Sequence, residues 1–312
     1  MSIDSTQFKG VVVSSKANYL NVDIDYSSSQ YLPSFIDKSE PIRLLCTRRT
    51  KLKHFGLSVY VGDKVLVENI DWKSKQGVVS KVFSRESLIN RPPVANVSNI
   101  VVLLSVSEPE FALDQASRFL IAAEKTGVEV TLVLTKVDLI PLHQLLELMS
   151  KLDSWFYEPI SISTKNETGV KKLINKLESF NISVLCGPSG VGKTSLINYL
   201  LPEKSLLTAP VSRKLRRGRH TTRNVELFSL PNGSLIADTP GFNRPDLVIH
   251  PNKLQSLFPE LRSQYLSSNC KFRDCLHRDE PGCSIDRNWQ RYSFYREYLE
   301  EMIIHHHQSQ GG

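Results

Sequence analysis

The stretch Gly187-Pro188-Ser189-Gly190-Val191-Gly192-Lys193-Thr194 decides the fold. It fits the phosphate-loop pattern G-x-x-x-x-G-K-[ST], with the apolar run Ile182 to Cys186 before it and helical spacing over 193–201 after it. The glycines let successive backbone N–H groups turn inward around an anion. The following helix N-terminus adds partial positive charge. Lys193 is expected to reach the β- and γ-phosphates of a nucleoside triphosphate, and the Thr194 hydroxyl to meet Mg²⁺, with Ser195 completing the run.

Outward from this loop, apolar runs alternate with helical periods. Asn99 to Ser107, Val128 to Leu134 and Glu158 to Ser163 read as strands, and 112–126, 141–152 and 168–180 as helices. Strands apolar on both faces imply an α/β layer with a parallel sheet. Val225 to Leu230 and Ser234 to Ala237, joined at Asn232-Gly233, read as a hairpin. Upstream, Phe8 to Val13, Tyr19 to Ile24, Ile42 to Thr47, Lys64 to Glu68 and Gly77 to Phe83 are short strands. Five of them in some 80 residues suit a small OB-like β-barrel. Arg91-Pro92-Pro93 reads as a linker, and 246–312 as helical around a Cys/His cluster. The expected parts are therefore 1–92, 93–245 and 246–312. His305-His306-His307 reads as a metal-affine patch or, in preference, a frayed or cloned tail.

Two further strand ends narrow the nucleotide. Asp238-Thr239-Pro240-Gly241 follows Leu235-Ile236-Ala237; its Asp suits Mg²⁺ and its Gly a backbone N–H to the γ-phosphate. Thr135-Lys136-Val137-Asp138 ends another strand. A carboxylate at Asp138 can accept from both the ring N–H and the exocyclic amine of guanine. Adenine offers no such donor pair, which favours GTP over an ATPase or kinase reading. Intact Lys193, Thr194 and Asp238 also speak against a nucleic-acid-binding module with a vestigial nucleotide site.

The 312 residues are 40% hydrophobic and 23% charged, with a formal net charge of +7. The longest apolar runs are far too short to span a bilayer, and Asp4 and Lys9 interrupt any signal-like start. A cytoplasmic protein is expected. Residues 1–92 hold 14 Lys/Arg against 9 Asp/Glu. Two stretches, 43–53 and 213–223, are basic without an acid, and they point to a polyanionic partner. Cys270-x₄-Cys275-x-His277-x₅-Cys283 offers three thiolates and an imidazole, the donor set of a closed structural zinc site. Cys46 and Cys186 fall in strands and read as core residues.

The set resembles a translation-factor-type GTPase in an unusual order. TKVD (135–138) precedes the phosphate loop, and DTPG (238–241) comes last, which is a circular permutation. With the barrel and the Cys/His cluster, with Arg91-Pro92-Pro93-Val94-Ala95-Asn96-Val97 and with Arg217-Gly218-Arg219-His220-Thr221-Thr222, the chain resembles the RsgA (YjeQ) family of permuted GTPases. The resemblance implies a monomeric GTP hydrolase that binds the small (30S) ribosomal subunit and its 16S rRNA. It would act in late maturation, with turnover stimulated by the subunit and driving release. It assigns Ser161 and Ile162 to the loop that backs the guanine. It gives Mg²⁺ to Thr194, Asp238 and Thr222 or Thr221, and Zn²⁺ to the cluster. Phe242 stands where many GTPases place a water-orienting Gln, so the resemblance makes His220 the catalytic candidate.

Overall fold

The computed structural model describes residues 7–26, 32–36, 41–49, 58–90, 92–202, 225–238, 245, 247–265 and 269–310. The chain divides into two compact units, one of 1–99, 176–185 and 197–242 and one of 100–175, 186–196 and 243–312.

The first unit begins with β1 (Phe8–Lys16), β2 (Tyr19–Asp25), β3 (Ile42–Arg48), β4 (Lys64–Asp71) and β5 (Gln76–Val82). These pair antiparallel as β1–β2, β2–β3, β4–β5 and β1–β4, and parallel as β3–β5, so the five strands close on themselves. All five expected strands are present. Alternation puts Phe8, Val12, Leu20, Val22, Leu44, Cys46, Val65, Val67 and Val79 inside, each fully buried side chain worth about 1.5–3 kcal/mol. Gly10 is needed where β1 runs close to β2, because a Cβ there would lie 2.7 Å from the Asp23 carbonyl oxygen.

Residues 88–95 depart from the expected linker. β6 (Leu88–Asn90) and β7 (Pro93–Ala95) form an antiparallel hairpin. The Ala95 amide donates to the Val61 carbonyl at 2.8 Å, and Asn96 Nδ2 to the Gly62 carbonyl at 2.9 Å. Val94, Ala95 and Val97 are buried. Their apolar burial outweighs the Pro-Pro punctuation and docks the segment on the barrel.

In the second unit β8 (Asn99–Ser105), β9 (Glu129–Thr135) and β10 (Ile160–Ser161) lie in the order β10-β9-β8, with β9 and β10 parallel. They alternate with α1 (Leu113–Glu124), α2 (Leu142–Asp153) and α3 (Val170–Glu178). Every residue of β8 is buried, as both-face coverage requires. α1 turns Ala116, Phe119, Leu120 and Ala123 inward and ends before Gly127, whose φ of 73° suits a residue without Cβ. Then follow β11 (Ile182–Cys186) and α4 (Lys193–Leu200). In the first unit β11 pairs parallel with β13 (Leu235–Asp238), which pairs antiparallel with β12 (Glu226–Ser229). The expected hairpin is therefore present.

The C-terminal part carries α5 (Pro251–Leu254), α6 (Pro259–Tyr265) and α7 (Tyr292–Gln310). Leu254, Phe258, Leu261, Tyr295, Tyr298 and Met302 form its core together with Ile121 of α1. Arg291 is fully buried and bonded to Glu260. Its guanidinium lies 4.8 Å from the ring centres of both Trp155 and Phe258. The His305–His307 triplet is not a frayed tail: it sits in α7, and the His306 ring meets His250 edge-on at 4.7 Å.

Candidate functional site

The phosphate loop leaves β11 and enters α4, as its sequence context predicts. Gly187, Gly190 and Gly192 have φ of 137°, 86° and 99°, conformations that other residues adopt at a cost. Gly187 also meets β8 closely, since a Cβ there would fall 2.1 Å from the Leu103 carbonyl oxygen. Pro188 and Val191 are buried, while Ser189 and Gly190 face outward. Lys193 is 9% exposed, and its ammonium donates to the carbonyls of Gly187 at 2.7 Å and Pro188 at 2.8 Å. The amine is therefore held over the loop, where a phosphate oxygen can take it up. Thr194 is half-buried and Ser195 exposed on the first turn of α4.

The TKVD strand end meets this loop directly. The buried Thr135 hydroxyl donates to the Val191 carbonyl at 2.7 Å. Lys136 adopts a left-handed φ of 58°, and its ammonium donates to the Glu108 carbonyl. Asp138 lies two positions on, exposed in a single 3-10 turn over Val137–Leu139. Thr135, Lys136, Asp138, Leu139, Ile162, Ser163, Lys165, Val191, Gly192 and Ser195 all line one cavity of about 210 Å³.

The loop after β10 closes that cavity. The Ile162 amide donates to the Leu134 carbonyl at 2.7 Å and the Val137 amide to the Ile162 carbonyl at 3.3 Å. Gly169 (φ 67°) allows close approach, since a Cβ would lie 1.9 Å from the Ser161 carbonyl oxygen. Ile162 lines the cavity, whereas the Ser161 hydroxyl bonds the Met149 sulfur at 3.2 Å. Ser163, the last residue of the loop Ser161-Ile162-Ser163, donates its buried hydroxyl to Asp138 Oδ1 at 2.6 Å, a bond not evident from the sequence. That bond holds the Asp138 carboxyl below its ordinary range, aided by the nearby Lys165 and Lys136 charges. A polar residue directly after a strand end facing TKVD is the signal that could have found it.

Asp238 ends β13, in register with Leu185 of β11. His220, Thr221, Thr222, Gly241, Phe242 and the basic run 213–223 lie outside the described residues.

Cys270, Cys275, His277 and Cys283 bring their ligand atoms within 4.8 Å of one another. His277 Nδ1 is 3.7 Å from Cys270 Sγ and 3.6 Å from Cys283 Sγ. All three cysteines are free thiols, and three soft sulfurs with one imidazole are a donor set that fits a tetrahedral metal ion. The Glu280 carboxylate accepts from the amides of Leu276 at 3.1 Å and Arg278 at 2.7 Å. Tyr295 and Tyr292 of α7 donate to the carbonyls of Leu276 and His277. Those supports of the ligand loop were not evident from spacing. Cys46 and Cys186 are core residues, as expected, and burial pushes each thiol up to about 12. No helix among the described residues is long and apolar enough to cross a membrane.

A family model described as RsgA GTPase matches residues 82–248. A protein of Prochlorococcus marinus (strain MIT 9303), named small ribosomal subunit biogenesis GTPase RsgA, is 52% identical over 311 residues, covering 99% of this chain and 97% of its own. A protein of the same name from Synechococcus sp. (strain CC9311) is 50% identical over 310 residues, with 99% of each covered. Among solved structures, YjeQ from Thermotoga maritima superposes with a TM-score of 0.75 at 28% identity, covering 95% of this chain and 99% of that one. YloQ, described as a circularly permuted GTPase, gives 0.73 at 25% identity and 96% of both chains. With barrel, permuted motif order and metal-ligand cluster all in place, the chain belongs to the RsgA GTPase family.

Proposed function

We propose that this chain hydrolyses GTP to GDP and phosphate as a maturation factor of the small ribosomal subunit. The observation that carries the reading is the cavity in which the TKVD strand end and the phosphate loop meet. In it the Asp138 carboxylate is fixed by Ser163, where it can accept the two N–H donors of guanine. Gly187 to Ser195 embrace the phosphates, Lys193 exchanges its loop carbonyls for phosphate oxygens, and Ile162 backs the base. Thr194, Asp238 and Thr222 are assigned to Mg²⁺, whose charge offsets that of the phosphates, and Gly241 to the γ-phosphate. His220 is the residue assigned to orient the attacking water. The parts are the barrel (1–92), the permuted nucleotide domain (93–245) and the C-terminal helical domain (246–312).

The partner reading draws on the relatives' name, small ribosomal subunit biogenesis GTPase, and on the basic excess of residues 1–92. A barrel of this topology is suited to an RNA surface, here 16S rRNA. The protein acts in the cytoplasm as a monomer. The Cys₃His cluster takes one Zn²⁺, which fixes a ligand loop that has little apolar core of its own. The test is GTP turnover with and without purified small subunits. Strong stimulation supports the reading, and turnover unaffected by saturating subunit rejects it.

A further inference from the structure

The barrel carries a cleft that nothing in the nucleotide chemistry uses. About 450 Å³ in volume, it is lined by Phe35, Ile36, Pro41, Ile42, Trp72, Lys73 and Lys75, a size within the ~300–1,000 Å³ of small-ligand pockets. Phe35 is 62% exposed. It sits at the tip of a turn closed by the Ile36 amide on the Pro33 carbonyl at 3.0 Å. Leu32 and Ile36 anchor that turn on the barrel core, so Phe35 is presented outward rather than left over from burial.

The opposite wall is equally fixed. Trp72 packs edge-on against Phe8, with ring centres 5.2 Å apart. Asp71 accepts from the Lys73 amide at 3.0 Å, and from the Ser74 amide and hydroxyl at 3.3 and 2.8 Å. Those bonds hold the Asp71 carboxyl below its ordinary range, the Ser74 hydroxyl contributing most. Lys75 takes a left-handed φ of 52°, and its carbonyl accepts from the Leu45 amide at 2.8 Å. Two lysines therefore stand at set positions on the turn, both exposed, with no acid among the described lining residues.

We propose that this cleft is a subsite for one unpaired base of single-stranded RNA, stacked on Phe35 and bordered by Trp72, with Lys73 and Lys75 on the flanking phosphates. An aromatic platform bordered by cations suits a base and its backbone, since every base has a π-face and every linkage a charge. A neutral apolar ligand would leave both lysines without purpose, and a duplex offers no splayed base to stack. The inference rests on the RNA-facing reading of the barrel above and narrows it to named side chains.

The test is fluorescence anisotropy of a fluorescein-labelled single-stranded RNA decamer titrated with the full chain across a salt series. Phe35→Ala is expected to weaken binding about tenfold, in keeping with stacking at one base, and Phe35→Tyr to stay within twofold of wild type. Lys73→Ala combined with Lys75→Ala is expected to reduce the slope of log affinity against log salt by about 1.4, for two phosphates of a single strand. Wild-type affinity in Phe35→Ala, or equal competition by a blunt RNA duplex, would overturn the subsite. Subunit-stimulated GTP turnover reads the parent proposal separately. Stimulation of the wild type together with decamer binding indifferent to Phe35 would remove the subsite alone.

Discussion

The Thr135 hydroxyl donates to the Val191 carbonyl at 2.7 Å, which ties the TKVD strand end, proposed to read the base, to the loop proposed to hold the phosphates. Because both residues are buried, the bond sets the distance between two walls of one cavity. Thr135→Val keeps shape and removes the donor. We expect about tenfold weaker binding of GTP and GDP alike, in line with ~1–3 kcal/mol for a buried acceptor left unpaired. The turnover number at saturating GTP should change little. Nucleotide titration followed by steady-state kinetics checks both.

Ser163 and Asp138 make a prediction about pH. Hydrogen bonding from Ser163 lowers the Asp138 pKa, and guanine recognition requires the carboxylate. Binding is therefore retained as pH falls until the depressed pKa is reached, and is lost below it. In Ser163→Ala that main lowering cause is absent, so loss should begin at a higher pH than in wild type. GDP affinity measured from pH 7 down to the acid limit of the fold reads the difference.

Gly187→Ala would place a Cβ 2.1 Å from the Leu103 backbone at a φ of 137°. The loop must shift away from β8, and nucleotide binding should fall by at least a hundredfold. Decamer binding at the barrel should persist, which separates a local loop defect from global unfolding.

Arg291 and Glu260 form a buried ion pair beneath Trp155. Removing one partner leaves the other charged and buried, so Glu260→Ala should destabilise the fold by ~3–5 kcal/mol. Glu260→Leu combined with Arg291→Met should recover most of that loss. Urea unfolding followed by tryptophan fluorescence distinguishes the single from the double variant.

Chelation tests the cluster of Cys270, Cys275, His277 and Cys283. One Zn²⁺ per chain is expected by elemental analysis. Its removal should lower the thermal midpoint and perturb the near-ultraviolet signal of Tyr292 and Tyr295, whose hydroxyls hold the ligand loop. Restoring Zn²⁺ should reverse both.

Much of this architecture was legible because local chemistry and tertiary context agree. The five barrel strands alternate in period two and bury what the pattern says they bury, and TKVD and the phosphate loop each end a strand. Legibility failed where a distant contact overrode a local signal. Pro92-Pro93 reads as punctuation, but burial of Val94 and Val97 makes the segment a docked hairpin. The His305–His307 triplet reads as a tail, but α7 carries it to His250. The Ser163 bond was not legible because its acceptor, Asp138, lies 25 residues earlier. Nothing local to Arg291 marks it for burial; Glu260 and three aromatic rings from distant segments enclose it.

The decisive measurement is steady-state turnover with purified small ribosomal subunits, comparing wild type with GTP and Asp138→Asn with GTP and with xanthosine triphosphate. Stimulated GTP turnover is expected in wild type, with its loss in Asp138→Asn and recovery of stimulated turnover with xanthosine triphosphate. GTP turnover in the variant equal to wild type, or a wild-type rate that saturating subunits leave unchanged, would contradict the proposed function.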